Sequence, residues 1–196
     1  MNAVRATLCL APVLLAGCGA KLSSSLPAGA PAPSYVGLTA GTLAVAALET
    51  DIEGLQQDLE RIARRASAVP VQLSRDGLVL TLWLGADESF GVASAQLEPK
   101  ALELYAELAL VLGRRPGTVA HILVHGEVVS GEPSTELSAR RAISLQAYLA
   151  SRGVPGTRLR AEGRTTAGMP ADARRIEVLL KPIIAGRESE AWAPPT

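Results

Sequence analysis

Two histidines, a serine and two cysteines are the first candidates for chemistry in this chain. His121 and His125 stand four apart in the apolar run Val119-Ala120-His121-Ile122-Leu123-Val124-His125, which reads as a strand, so both imidazoles share one face. Such a pair could begin a zinc site, but zinc needs further ligands. A structural histidine is the stronger reading, and no metal is expected. Ser138 is a nucleophile by type, yet no nucleophile elbow, Gly-rich phosphate loop or distinct His and acid partner accompanies it. An enzyme is therefore not expected, nor is a cofactor. Arg64-Arg65 and Arg140-Arg141 are short basic pairs in a chain with 19 Lys and Arg against 19 Asp and Glu. That balance argues against a nucleic-acid partner, which demands clustered cations over many phosphates.

The cysteines carry a processing signal. Arg5 is a positive start, Ala6 to Leu15 is an apolar run, and small residues precede Cys18. The run is shorter than the roughly 20 residues needed to cross a bilayer. Leu15-Ala16-Gly17-Cys18 resembles the lipobox of bacterial lipoproteins, which implies cleavage before Cys18 and lipidation of that residue. Acyl chains there would anchor the protein at about 0.8 kcal/mol for each buried methylene. The alternative is an ordinary secretory leader in which Cys18 is incidental; the residue order favours lipidation. Cys9 leaves with the leader, so no disulfide is possible in the mature chain, and packing alone must stabilise it. Gly19 and Ala20, where inner-membrane lipoproteins often carry Asp, point to the outer membrane, facing the periplasm.

The elements that would position a site follow in order. Residues 1–17 form the leader, and 18–40, rich in Ser, Ala, Pro and Gly, read as a flexible tether. Within a helix expected over 41–68, Leu48, Ile52, Leu55, Leu59, Ile62 and Ala66 recur at alternating steps of four and three, one apolar stripe. The stripe belongs against the chain's own domain or on a spacer; the alternative is a short coiled coil joining two copies or an envelope partner through 44–66. Pro70 ends this helix. Over 71–183, strands are expected at Leu78–Leu84, Val119–His125, Leu159–Glu162 and Ile176–Lys181. Helices are expected from Pro99 to a Gly113 cap, and from about Ser134 to Arg152 with Gly153 closing. The tail 184–196 reads as loose. The order β-α-β-α-β-β is an α+β two-layer sandwich, with two helices on one face of a mixed sheet. With 48% hydrophobic but only 3% aromatic residues, its core must be aliphatic.

Three segments carry a family resemblance: Val124-His125-Gly126-Glu127, Ser134-Thr135-Glu136-Leu137-Ser138-Ala139-Arg140-Arg141-Ala142, and Ala173-Arg174-Arg175-Ile176-Glu177. Over about Leu73 to Pro182 the chain resembles the OmpA C-terminal domain, shared with Pal lipoproteins and flagellar stator proteins. The resemblance implies non-covalent binding of peptidoglycan through the diaminopimelate side chain of its stem peptide. Glu127 would pair the ammonium of that zwitterion and Arg141 grip its carboxylate in a fork, with Ser134 and Arg174 as secondary contacts. This chain departs from the family pattern at Val124, Glu127, Ser134 and Ala173, and its loop before Leu137 is slightly shorter. Glutamate at 127 keeps the charge but reaches a methylene further. Structural alternatives stay open: Glu127 as a solvated carboxylate, Arg141 paired with Glu136 or Glu177, Arg174 covering apolar surface. Two functions follow: a lipid-anchored tether between outer membrane and wall, or a domain that lost this ligand and serves as an envelope scaffold through its first helix.

Overall fold

The computed structural model describes residues 40–126, 128–129, 132–133, 135–165 and 175–193. Cys18 and the tether, Glu127, Ser134, Ala173 and Arg174 lie outside the described residues.

A 26-residue helix, α1 (Ala40–Arg65), opens the described chain, with Arg64 and Arg65 in its last turn, where cations complement the helix dipole. Ile52, Leu55, Leu59 and Ile62, the four-three stripe, are 0–3% exposed in the common core, against α3 and the first hairpin. The stripe thus lies on its own domain. At about 1.5–3 kcal/mol for each large aliphatic side chain removed from water, that burial fastens the helix firmly. A seam docking a second copy through Leu55 and Leu59 is excluded, because both are wholly covered within the chain.

After Pro70 comes a hairpin of β1 (Val71–Asp76) and β2 (Val79–Gly85), paired Asp76 to Val79. Gly77, with φ of +55°, takes the first turn position, where a two-residue type II′ connection needs positive φ. The sequence reading missed β1. It is an edge strand with only Val71 and Leu73 half-buried, and Arg75 and Asp76 blunt its free edge as charges do on such strands.

A short helical turn, α2 (Ala86–Ser89), leads through a loop to α3 (Pro99–Arg114), which starts on its proline as expected. Gly113 is not the cap. The helix continues through Arg114, and Arg158 closes its end instead: the guanidinium donates to the carbonyls of Leu112 at 3.1 Å, Arg115 at 2.9 Å and Thr118 at 2.9 Å. Then follow β3 (Thr118–Gly126), a two-rung hairpin of β4 (Val128–Val129) and β5 (Glu132–Pro133), and α4 (Thr135–Ser151). Gly153, at φ +94°, terminates α4 as expected. The chain ends with β6 (Leu159–Thr165), longer than the expected 159–162, and β7 (Arg175–Pro182).

The strands lie in the order β1-β2-β7-β3-β6. Only β3 and β6 are parallel, as a crossover through α4 requires; β7 is antiparallel to both β2 and β3. This is the expected α+β sandwich with a mixed sheet, except that α1 joins α3 and α4 on the covered face. Leu80, Leu82 and Leu84, Ile176, Val178 and Leu180, and Ala120, Ile122 and Val124 point into that layer.

The other sheet face departs from expectation at the tail. Instead of hanging loose from Ala185, the chain turns at Gly186, φ +78°, and forms a 3₁₀ turn over Glu188–Trp192. Ala191 is buried, the Trp192 ring meets His121 edge-on with centroids 6.4 Å apart, Arg160 stacks on Trp192 at 4.8 Å, and the Lys181 ammonium donates to the Ala193 carbonyl. Val119, Leu123 and Leu179 on this face are buried as well, and the tail packs on the same face at His121.

Candidate functional site

Of the residues the family resemblance assigns to wall binding, Arg141 is the one among the described residues. It stands in the second turn of α4, on the side facing the loop between α2 and α3. Its Nε donates to the Ser94 carbonyl at 2.8 Å and Nη2 to the Gly91 carbonyl at 3.1 Å, and the guanidinium carbon lies 5.2 Å from the centre of the Phe90 ring. A guanidinium has five N–H donors in a fixed plane, so two such bonds set the direction of that plane. The carboxylates proposed as structural partners are engaged elsewhere: Glu136 meets Arg140 at 3.6 Å, and Glu177 meets His125 at 3.1 Å and Arg175 at 3.3 Å.

Phe90, Gly91 and Ser94 had no signature in the sequence beyond a small-residue turn before Pro99. Their partner is some fifty positions away, and only the packing of α4 beside that turn brings them together. The turn is seated on a buried polar chain. Ser89 Oγ donates to the Gly85 carbonyl at 2.6 Å, and the Tyr105 hydroxyl donates to Ser89 Oγ at 2.7 Å. Burial pushes the Tyr105 hydroxyl well above the usual phenol range, so it stays a neutral donor.

The approach of α4 to the sheet depends on Gly163 of β6. A Cβ there would stand 2.4 Å from the Ala139 backbone nitrogen and 2.7 Å from Ser138 Oγ. Ser138, considered above as a nucleophile, is 1% exposed and donates to the Thr135 carbonyl at 2.9 Å. It serves the first turn of α4.

At the other side of the site, β3 ends on His125 and Gly126, both buried. His125 Nε2 is 3.1 Å from Glu177 on β7, but off the line of a hydrogen bond, and neither ring nitrogen has a hydrogen-bond partner among the described residues. Burial alone would raise the Glu177 pKa, yet His125 and Arg175 outweigh it and hold the carboxyl below its usual range. Arg175 in turn lies over the Trp83 ring at 4.3 Å. His121, four residues earlier, faces a carboxylate on the other neighbouring strand, with Nε2 3.0 Å from Glu162 of β6. Burial depresses its pKa despite that carboxylate. The two histidines do share a face, but four residues of strand put them about 13 Å apart, too far for one metal ion. Among the described residues no group of three or more His, Cys, Asp or Glu gathers as a metal site, and no helix is long and apolar enough to cross a membrane. A cleft of about 380 Å³ beside Ile62, Lys100, Glu103 and Glu107 lies between the end of α1 and α3, away from Arg141.

A five-stranded mixed sheet with its helices on one face gives this domain the OmpA-like fold. No family model matches the chain. Over 139 residues it is 28% identical to the Escherichia coli K12 protein named "Probable lipoprotein YiaD", a match that takes in 66% of this chain and 63% of that protein. Among solved structures, a MotB-like protein from Desulfovibrio vulgaris superposes with a TM-score of 0.58 at 21% identity, covering 69% of this chain and 95% of that one. The cell wall anchor of the type VI secretion system from Pseudomonas aeruginosa gives 0.54 at 21% identity, over 65% and 96%. The periplasmic domain of Helicobacter pylori MotB (residues 90–256) gives 0.54 at 17% identity, over 66% and 88%. At these identities the structural likeness establishes the fold.

Proposed function

We propose that this chain is an envelope lipoprotein, lipidated at Cys18 and held in the outer membrane, whose OmpA-like domain grips peptidoglycan non-covalently. The observation that carries the reading is Arg141. Its guanidinium is set by two backbone carbonyls and an aromatic ring at the start of the helix that follows β3. An oriented, always-charged fork is suited to a carboxylate, such as the free end of the diaminopimelate side chain. Glu127 would take the ammonium of the same zwitterion, with Ser134 and Arg174 lending secondary contacts. The protein is then a binding module and not an enzyme, tethering membrane to wall. Its likeness to a lipoprotein in sequence and to a secretion-system wall anchor in structure supports an envelope role.

The scaffold reading through α1 loses most of its surface, since Ile52 to Ile62 pack internally. Co-sedimentation with purified wall sacculi tests the tether. The native protein is expected in the pellet, and Arg141→Ala and Glu127→Ala in the supernatant, each still melting cooperatively. A native protein that stays in the supernatant would end this reading.

A further inference from the structure

The segment between α2 and α3 needs only to reverse the chain and restart a helix, yet it is braced far beyond that. Gly91 N–H donates to the Gln96 carbonyl at 3.2 Å, Ser94 N–H to the Gly91 carbonyl at 3.0 Å, and Glu98 N–H to the Ser89 carbonyl at 2.9 Å. Gln96 N–H donates to Ser94 Oγ at 3.0 Å, and Phe90 and Leu97 form an antiparallel bridge. The brace holds Ala93 at φ +51°, a region that residues other than glycine enter at a cost and only when their surroundings impose it. Phe90 itself is 2% exposed, anchored in the core below. Two carbonyls of this rigid segment, Gly91 and Ser94, and the Phe90 ring converge on one side chain, Arg141.

We infer that Phe90–Leu97 is a bracket that presets the direction of the Arg141 guanidinium, with Phe90 as its positioning residue, so that the site selects a ligand carboxylate by geometry as well as charge. An unsupported arginine gives up its rotamer freedom when it grips a planar acid. A bracketed one has given it up on folding, and binding then costs less. The carboxylate as ligand rests on the proposed wall-binding function; the bracket does not.

Two measurements on the full-length protein in detergent separate the two. In ¹⁵N-arginine spectra the native Arg141 Nε–H is expected upfield, over the Phe90 ring, and slow to exchange through its bond to Ser94. Phe90→Leu and Phe90→Met, both ring-free and apolar, should remove the shift and speed exchange while the melt stays cooperative. In sacculus binding, Phe90→Leu should weaken the native protein by about three- to tenfold. It should add little in the Arg141→Lys background, which keeps the charge but not the fork, the coupling a double-mutant cycle reads. An unchanged Nε–H signal in both ring-free variants overturns the bracket, as does an equal loss of binding in the native and Arg141→Lys backgrounds. Full binding by Arg141→Ala alone ends the wall-binding role of that residue, while the Nε–H signal still judges the bracket.

Discussion

Gly163→Ala is the substitution whose cost the structure lets one work out most directly, and it links stability to the site. The added methyl would stand 2.4 Å from the Ala139 nitrogen, 2.8 Å from the Ala139 Cα and 2.7 Å from Ser138 Oγ. Carbon contacts are comfortable near 3.5–4.0 Å, so β6 and the first turns of α4 must part by about 1 Å. Two of the three obstructing atoms are backbone, held in the α4 ladder, and cannot swing aside as a side-chain tip would. Overpacking of this kind costs about 1–3 kcal/mol, which for a domain of this size lowers Tm by roughly 2–12 °C. The companion Gly163→Ala/Ser138→Ala separates the two obstacles. It removes the hydroxyl and leaves the Ala139 backbone, so it should recover only a minor part of the loss. Because α4 carries Arg141 two residues beyond Ala139, its displacement should also loosen the Ser94 and Gly91 bonds and weaken sacculus binding. Urea unfolding followed by circular dichroism gives the first quantity and co-sedimentation the second. A Gly163→Ala protein with the native urea midpoint would refute the close-approach argument, and full rescue by Ser138→Ala would refute its assignment to backbone.

Two further outcomes follow from the core and the outer sheet face. Leu59→Asp puts a carboxylate into a fully covered position, so it should cost about 3–5 kcal/mol and shift the denaturation midpoint; a stable variant whose only change is in oligomeric state would contradict the intramolecular role of α1. Acid should weaken the fold in two stages. His121 has a folded-state pKa below its usual 6.5, so the unfolded chain takes up the proton first, and stability declines as pH falls below 6.5 toward the folded value. Glu177 has a folded-state pKa below 4.5, so its contribution is complete above 4.5 and is lost as pH falls further through the depressed value. A urea midpoint that rises between pH 7 and 5.5 would reverse the first sign, and His121→Leu should flatten that stage.

Most of this fold was legible because its elements have strong local signals. The alternating four-three spacing of Ile52, Leu55, Leu59 and Ile62 specifies a one-sided helix, Pro99 and Gly153 mark where helices begin and end, and the apolar runs of β2, β3 and β7 are too short for anything but strands. The paired motifs around Arg141 carried the family resemblance. Other features left little local trace. Edge strand β1 buries two half-covered side chains and shows no strong alternation. The Glu188–Trp192 turn has the composition of a loose end, and its Trp192 ring is held by His121 and Arg160, residues more than 30 positions away on two other strands. Helix α3 ends under Arg158 from a later segment, so its nearest glycine misled.

Periodicity and turn chemistry are properties of neighbours along the chain, and they were enough for most element types and the aliphatic core, while the family resemblance put Arg141 forward. Docking settled which partner each element buries against, that α1 closes on its own domain, and that Phe90, Gly91 and Ser94 hold Arg141. Those contacts join residues far apart in sequence, and their geometry exists only once the helices have docked on the sheet.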